Sequence, residues 1–133
     1  MNRLSLRVLG CAVGMLLAVP LTAQEEGERN MDAVHCVSIR SIRDIQVVND
    51  RTLVVRMQGG KVYRNDLPHR CPGLKRRDTL MYRSSIGQLC SLDVITVLED
   101  WGGFGFRPGA SCGLGMFEPI TEEIAAELLE SGG

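Results

Sequence analysis

The 133-residue chain carries 15 basic and 16 acidic side chains, a formal net charge of −1, and 44 % of its residues are apolar. A balance so near neutral says little until the chain is divided, and no nucleic-acid partner is expected. The length fits one small domain, able to bury a core but only marginally stable without covalent help.

Residues 1–23 read as a cleaved secretory signal: Arg3 and Arg7 precede an apolar run over 8–19, and Pro20, Leu21, Thr22 and Ala23 form the cleavage region. The run is too short to span a bilayer, which takes roughly 20 apolar residues. Cys11 within it reads as one more small apolar side chain. Residues 24–33 are polar and acidic and read as a flexible leader. The mature chain then keeps Cys36, Cys71, Cys90 and Cys112, an even set in an exported protein, which predicts two disulfides. No Cys-x-x-Cys pair occurs, which argues against structural zinc and against a redox dithiol. Three pairings are open to four cysteines. The expectation is Cys36 with Cys112, tying the ends of the domain, and Cys71 with Cys90, closing a hairpin region.

Along the chain, Val37 and Ile39, then Ile45 and Val47, alternate with polar residues in the period-two manner of a strand. Ile42 falls out of that phase, so a bulge or short turn is expected near residues 41–43. Asn49, Asp50 and Arg51 supply turn chemistry before Leu53, Val55 and Met57 resume the alternation against Val54, Arg56 and Gln58. Gly59 and Gly60 tolerate the positive φ of a tight hairpin, a strand follows over 62–64, and Pro68 stops this third antiparallel strand. Cys71, Pro72, Gly73 and Leu74 read as a rigid turn leading into the basic run Lys75, Arg76 and Arg77. Strands are predicted over 79–83 and 92–98, the second apolar on both parities as if buried on two sides. Pro108 and Gly109 read as a turn. Thr121 is placed to cap an amphipathic helix over 121–130, with Glu122 and Glu123 in its first turn and Ile124, Ala125, Leu128 and Leu129 on its docking face. The predicted fold class is mainly β: a small antiparallel sheet or partly open barrel of five to six strands with one C-terminal helix, over residues 34–133.

Chemistry is sparse. His35 and His69 are the only histidines, and Asp66 lies three residues before His69, a spacing open to a base and its orienter. The ordinary reading is that Asp66 caps the turn at Leu67 and Pro68 while His69 faces water. No Gly-x-Ser-x-Gly elbow, phosphate loop or His-Glu-x-x-His helix is present, and the sequence designates no catalytic residue, metal ligand or cofactor site. The candidate contact surface comprises Lys75, Arg76 and Arg77 together with Trp101, Phe104 and Phe106, three aromatics set among glycines. Such a basic run is ordinarily solvated, and such aromatics ordinarily plug one end of a small core. The middle of the chain is mildly basic between acidic ends, which suits an envelope protein, polysaccharide or lipid headgroup as partner.

Cys36-Val37-Ser38-Ile39, the run Val62-Tyr63-Arg64-Asn65-Asp66-Leu67, Cys71-Pro72-Gly73-Leu74, Leu89-Cys90 with Asp93, and the stretch from Cys112 to Ile120 occur in an order that resembles a family of small exported proteins of Gram-negative bacteria, catalogued only as a domain of unknown function. The likeness spans residues 34–120. It implies export and a four-cysteine disulfide framework, and it transfers no catalytic residue. The expected function is a non-enzymatic cell-envelope binding or structural module, periplasmic or secreted after signal cleavage. The alternative is a small periplasmic hydrolase using His69 and Asp66.

Overall fold

The computed structural model describes residue 14, residues 32–84 and residues 86–132. The expected signal segment, residue 14 aside, and the leader up to residue 31 lie outside the described residues. Among the described residues nine strands follow in chain order: β1 (Cys36–Ser38), β2 (Ile42–Val47), β3 (Thr52–Met57), β4 (Val62–Asp66), β5 (Thr79–Tyr82), β6 (Gln88–Cys90), β7 (Val94–Asp100), β8 (Phe106–Gly113) and β9 (Phe117–Ile120). One α-helix among the described residues, α1 (Glu122–Ser131), follows β9. All pairings are antiparallel, in a four-stranded sheet ordered β2-β3-β4-β9, a three-stranded sheet ordered β5-β7-β8 and a ribbon of β1 with β6. No helix among the described residues is long and apolar enough to cross a membrane.

Local chemistry explains the first meander. A single 3₁₀ turn (Ile39–Ser41) and a register shift between Ile42 and Asp44 absorb the phase break at Ile42. Asn49 Oδ1 accepts the backbone N–H groups of Arg51 at 2.9 Å and Thr52 at 3.0 Å, folding β3 back on β2. Gly59 and Gly60, at φ 87° and 88°, then turn β3 into β4 in a conformation that side chains with a Cβ resist. At the far end Thr121 Oγ1 accepts the N–H of Ile124, so the helix is capped as its sequence foretells.

Successive β3 side chains point to opposite faces, and here both faces are covered. Leu53, Val55 and Met57 join the main core with Val37, Leu89, Ile95, Val97, Leu114 and Phe117. Val54 points the other way, into a second cluster with Val48, Val62 and Ala125, on which Leu128 and Leu129 of the helix pack. Ile124, expected on the docking face, is instead 43 % exposed, because the contact is centred on Ala125. The helix having settled on the four-stranded sheet, β7 has one buried face only: Ile95 and Val97 are inside while Val94 is 50 % exposed, against the expectation of burial on both sides.

The structure has more strands than the sequence pattern showed. β1 and β6 are three residues long, and β8 contains Pro108 and Gly109, which read as a turn. β8 tolerates Pro108 because it is an edge strand, where a missing N–H breaks no ladder on the open side. Pro119 likewise sits in β9 at a sheet margin.

Both disulfides form, but with partners other than those expected: Cys36 joins Cys90 and Cys71 joins Cys112. The first follows from the ribbon, whose register sets Cys36 directly opposite Cys90. The second follows from the loop after β4, which doubles back until the Cys71 N–H donates to Asp50 O at 2.8 Å, leaving its fully buried sulfur beside β8. In the chain-entropy model a link across 41 residues contributes about 4 kcal/mol. Asn65, fully buried, adds a polar clasp: its side chain donates to Gly115 O at 2.9 Å and accepts Gly115 N–H at 2.8 Å. A Cβ at Gly115 would lie 2.0 Å from Asp66 O, so only glycine fits there.

On the surface, Arg56 joins sheet to helix, its Nη2 lying 2.7 Å from Glu122 Oε1 with Asp44 at 3.7 Å. The hydrogen bond from Arg56 holds the Glu122 carboxyl below the usual glutamate range, and the same bond raises Arg56. A carboxyl so lowered stabilises the fold above the ordinary glutamate pKa and loses that contribution as pH falls through its lowered value. Glu122→Gln should therefore cost a little stability in neutral-pH denaturant melts and nothing in acid. Replacing Cys71 and Cys112 by alanine should lower Tm by well over 10 °C in calorimetry, the consequence of losing about 4 kcal/mol from a domain this small.

Candidate functional site

The hydrolase pair does not assemble. Asp66 Oδ1 accepts the Thr52 hydroxyl at 2.8 Å, and its Oδ2 meets Arg64 Nε at 2.8 Å in an ion pair without hydrogen-bond alignment. His69 is exposed, and no hydrogen bond joins it to Asp66. Nucleophile activation needs base and orienter in mutual reach, and here the carboxylate is committed elsewhere. A contact invisible in the sequence does occur: His35 Nδ1 lies 3.0 Å from Ser91 Oγ, across 56 residues. It is exposed, and among the described residues no carboxylate orients the other ring nitrogen. Among the described residues no group of three or more histidine, cysteine or carboxylate side chains is placed to hold a metal.

The six residues of the candidate contact surface are all exposed. Trp101, Phe104 and Phe106 are 59 %, 90 % and 60 % exposed, so they do not plug the core. They form the tip of the β7–β8 hairpin, where Trp101 N–H donates to Gly105 O at 2.9 Å and Phe104 N–H to Trp101 O at 3.1 Å. Gly102, Gly103 and Gly105 all have positive φ. That glycine-made bend turns the rings outward instead of back onto the sheet. Arg107 completes the tip: its guanidinium lies 5.5 Å from the Trp101 ring centroid and is held by Glu99 Oε2 at 3.0 Å.

Lys75, Arg76 and Arg77 leave the same end of the three-stranded sheet, since β5 begins at Thr79 opposite Leu98 and the hairpin runs past Leu98 to its tip. Arg76 and Arg77 line a cleft of about 500 Å³ with Asp44, Ile45, Gln46, Val47, Asp78 and Leu129. Its volume lies within the ~300–1,000 Å³ of small-ligand sites. Arg77 and Leu92 are the described non-glycine residues with positive φ, at 77° and 76°. In the rigid turn over residues 71–74, Cys71 and Leu74 are buried and Pro72 and Gly73 are exposed between them.

Against this geometry, no family model matches the chain, nor does any curated protein or solved structure. Trp101 is the chain's one tryptophan. Its fluorescence should be that of a hydrated indole and should quench freely with acrylamide. Arg107→Ala should alter the yield by removing the cation above the ring, and a blue, quencher-resistant emission would contradict the exposed tip.

Proposed function

We propose that the protein is an exported, non-enzymatic module of the cell envelope that contacts a lipid headgroup surface through the β7–β8 hairpin tip. The exposure of Trp101, Phe104 and Phe106 on one protruding bend carries this reading. Three neighbouring exposed aromatics cost free energy in water and are uncommon without a partner. None of the three rings lines a described cleft, whereas small-ligand sites are concave, so the tip suits insertion into an interface better than enclosure of a sugar. Indole and phenyl rings beside an arginine are the side chains that settle at the boundary of headgroups and acyl chains. Burying the exposed parts of three such rings, each of roughly 150–250 Å², is worth on the order of several kcal/mol at about 25 cal/mol/Å².

Export is supported by the signal-like first 23 residues and by two disulfides, bonds that persist in oxidising compartments. The resemblance to small exported Gram-negative proteins of unknown function agrees with the same reading. In a Gram-negative host, mass spectrometry of the periplasmic fraction should find a mature chain starting at Gln24. An intact N-terminus in the cytosol would refute export.

The lipid contact is tested by titrating the mature protein with vesicles of phosphatidylethanolamine and phosphatidylglycerol while following Trp101 emission. A blue shift is expected, with partitioning weakened at least tenfold by Phe104→Ser plus Phe106→Ser at unchanged Tm. No shift with vesicles, or a shift only with soluble peptidoglycan fragments, would overturn the lipid assignment.

A further inference from the structure

The cleft beside β2 differs in chemistry from the hairpin tip. β2 is the first strand of its sheet, with β3 on one side and no described strand on the other. The Val48 N–H donates to Thr52 O at 2.9 Å, and the register continues through Gln46 opposite Val54 and Asp44 opposite Arg56. In an antiparallel ladder the bonded pairs alternate, so Gln46 and Asp44 bond to β3 while the backbone groups of Ile45 and Val47 point away from it. Both residues line the cleft. Val47 is only 5 % exposed, so its outward N–H and C=O are largely shut off from water, where backbone polar groups call for a partner.

The opposite wall is the turn over residues 75–78. Asp78 N–H donates to Lys75 O at 3.1 Å, and Arg77, the third residue of the turn, has φ 77°. Arg76 has no positive φ, so this is a type II turn, whose third position favours glycine. The sequence instead places a long cationic side chain there, against its backbone preference, and strain of this kind collects at functional sites. Neither Arg76 nor Arg77 forms an ion pair with any described residue. The two acids of the cleft are engaged: Asp78 Oδ2 accepts Lys75 N–H at 2.6 Å, and Asp44 Oδ2 lies 3.7 Å from Arg56 Nη1. Leu129 adds an apolar end.

We propose that this cleft binds an extended acidic peptide segment, which adds to the free edge of β2 as a fifth strand of the sheet and sets a carboxylate against Arg76 and Arg77. Strand addition derives its affinity from main-chain hydrogen bonds and its selectivity from alternate side chains. The backbone of Ile45 and Val47 supplies the first, and the pair of guanidiniums facing a small apolar contact supplies the second. A segment alternating acidic and β-branched residues matches both walls.

The probe is a fluorescein-labelled hexapeptide of alternating valine and glutamate, titrated by anisotropy against the mature, oxidised protein. Saturable binding is expected, at least tenfold weaker when lysine replaces glutamate and when alternate peptide nitrogens are methylated to block the ladder. Arg77→Gly is the decisive variant, because it removes the cation and relieves the turn together. Its Tm should be unchanged or higher while its affinity falls at least tenfold, a combination that a purely structural role of Arg77 would not give. In ¹⁵N spectra the amides of Ile45 and Val47 should shift on binding more than those of Asp44 and Gln46. The proposal fails if the hexapeptide does not bind, if the methylated or lysine peptide binds equally well, or if the shifts centre elsewhere. It also fails if the β2 edge proves to be occupied by a second copy in sedimentation. Phe104→Ser with Phe106→Ser should leave peptide binding intact, which separates this result from the fate of the lipid reading.

Discussion

The fold depends on one sulfur bridge in its interior. The four-stranded and three-stranded sheets share no ladder hydrogen bond, so they are held together by apolar packing and by Cys71–Cys112, which joins the loop after β4 to the C-terminal end of β8. Cys71 is fully buried among Leu67, Leu74 and the inward faces of both sheets. The bridge thus acts on the contact between sheets, where a small core is weakest. Cys36–Cys90 acts more locally, within the ribbon of β1 and β6.

The same link arranges the surface. By fixing the loop that continues into Lys75, Arg76 and Arg77, it sets those cations beside the open edge of β2 and at the end of the sheet from which the aromatic hairpin extends. A rigid base under both features matters physically. Ordering side chains at the moment of binding costs free energy, and a scaffold that orders them beforehand reduces that cost. The two surfaces differ in chemistry: exposed aromatic rings at a hairpin tip, and a charged cleft along a strand edge. In the proposed function the module would sit at a membrane surface and hold a peptide segment there.

Much of this architecture was legible from local chemistry. Asn49, the Gly59 and Gly60 pair and Thr121 each announce a turn or cap through a hydrogen bond or dihedral that their own side chains, or lack of one, dictate. The alternation through Leu53, Val55 and Met57 correctly marked the inward face of β3. What the pattern hid were features decided at a distance. Val54 looks solvent-facing until α1 is known to cover that side, and Pro108 looks like a turn until β8 is known to be a sheet margin. The disulfide partners differ from expectation for the same reason, because the Cys36 and Cys90 register is set by pairing across 54 residues.

The contact surface was visible as composition and not as geometry. Trp101, Phe104 and Phe106 among glycines fit either a core plug or an exposed platform, and only their exposure in the folded chain distinguishes the two. The His35–Ser91 contact and the strained backbone at Arg77 have no signature in sequence, the first because of its span and the second because arginine in a glycine position looks ordinary in a basic run. The bridge between sheets is checked most directly by mass spectrometry of the native protein, alkylated without reduction and digested with trypsin and a glutamate-specific protease. Cleavage after Glu99 separates Cys90 from Cys112, which trypsin alone leaves joined because Pro108 follows Arg107. Linked peptides carrying Cys71 with Cys112 and Cys36 with Cys90 are the predicted result. Alkylated free thiols, or Cys36 linked to Cys112, would contradict the account.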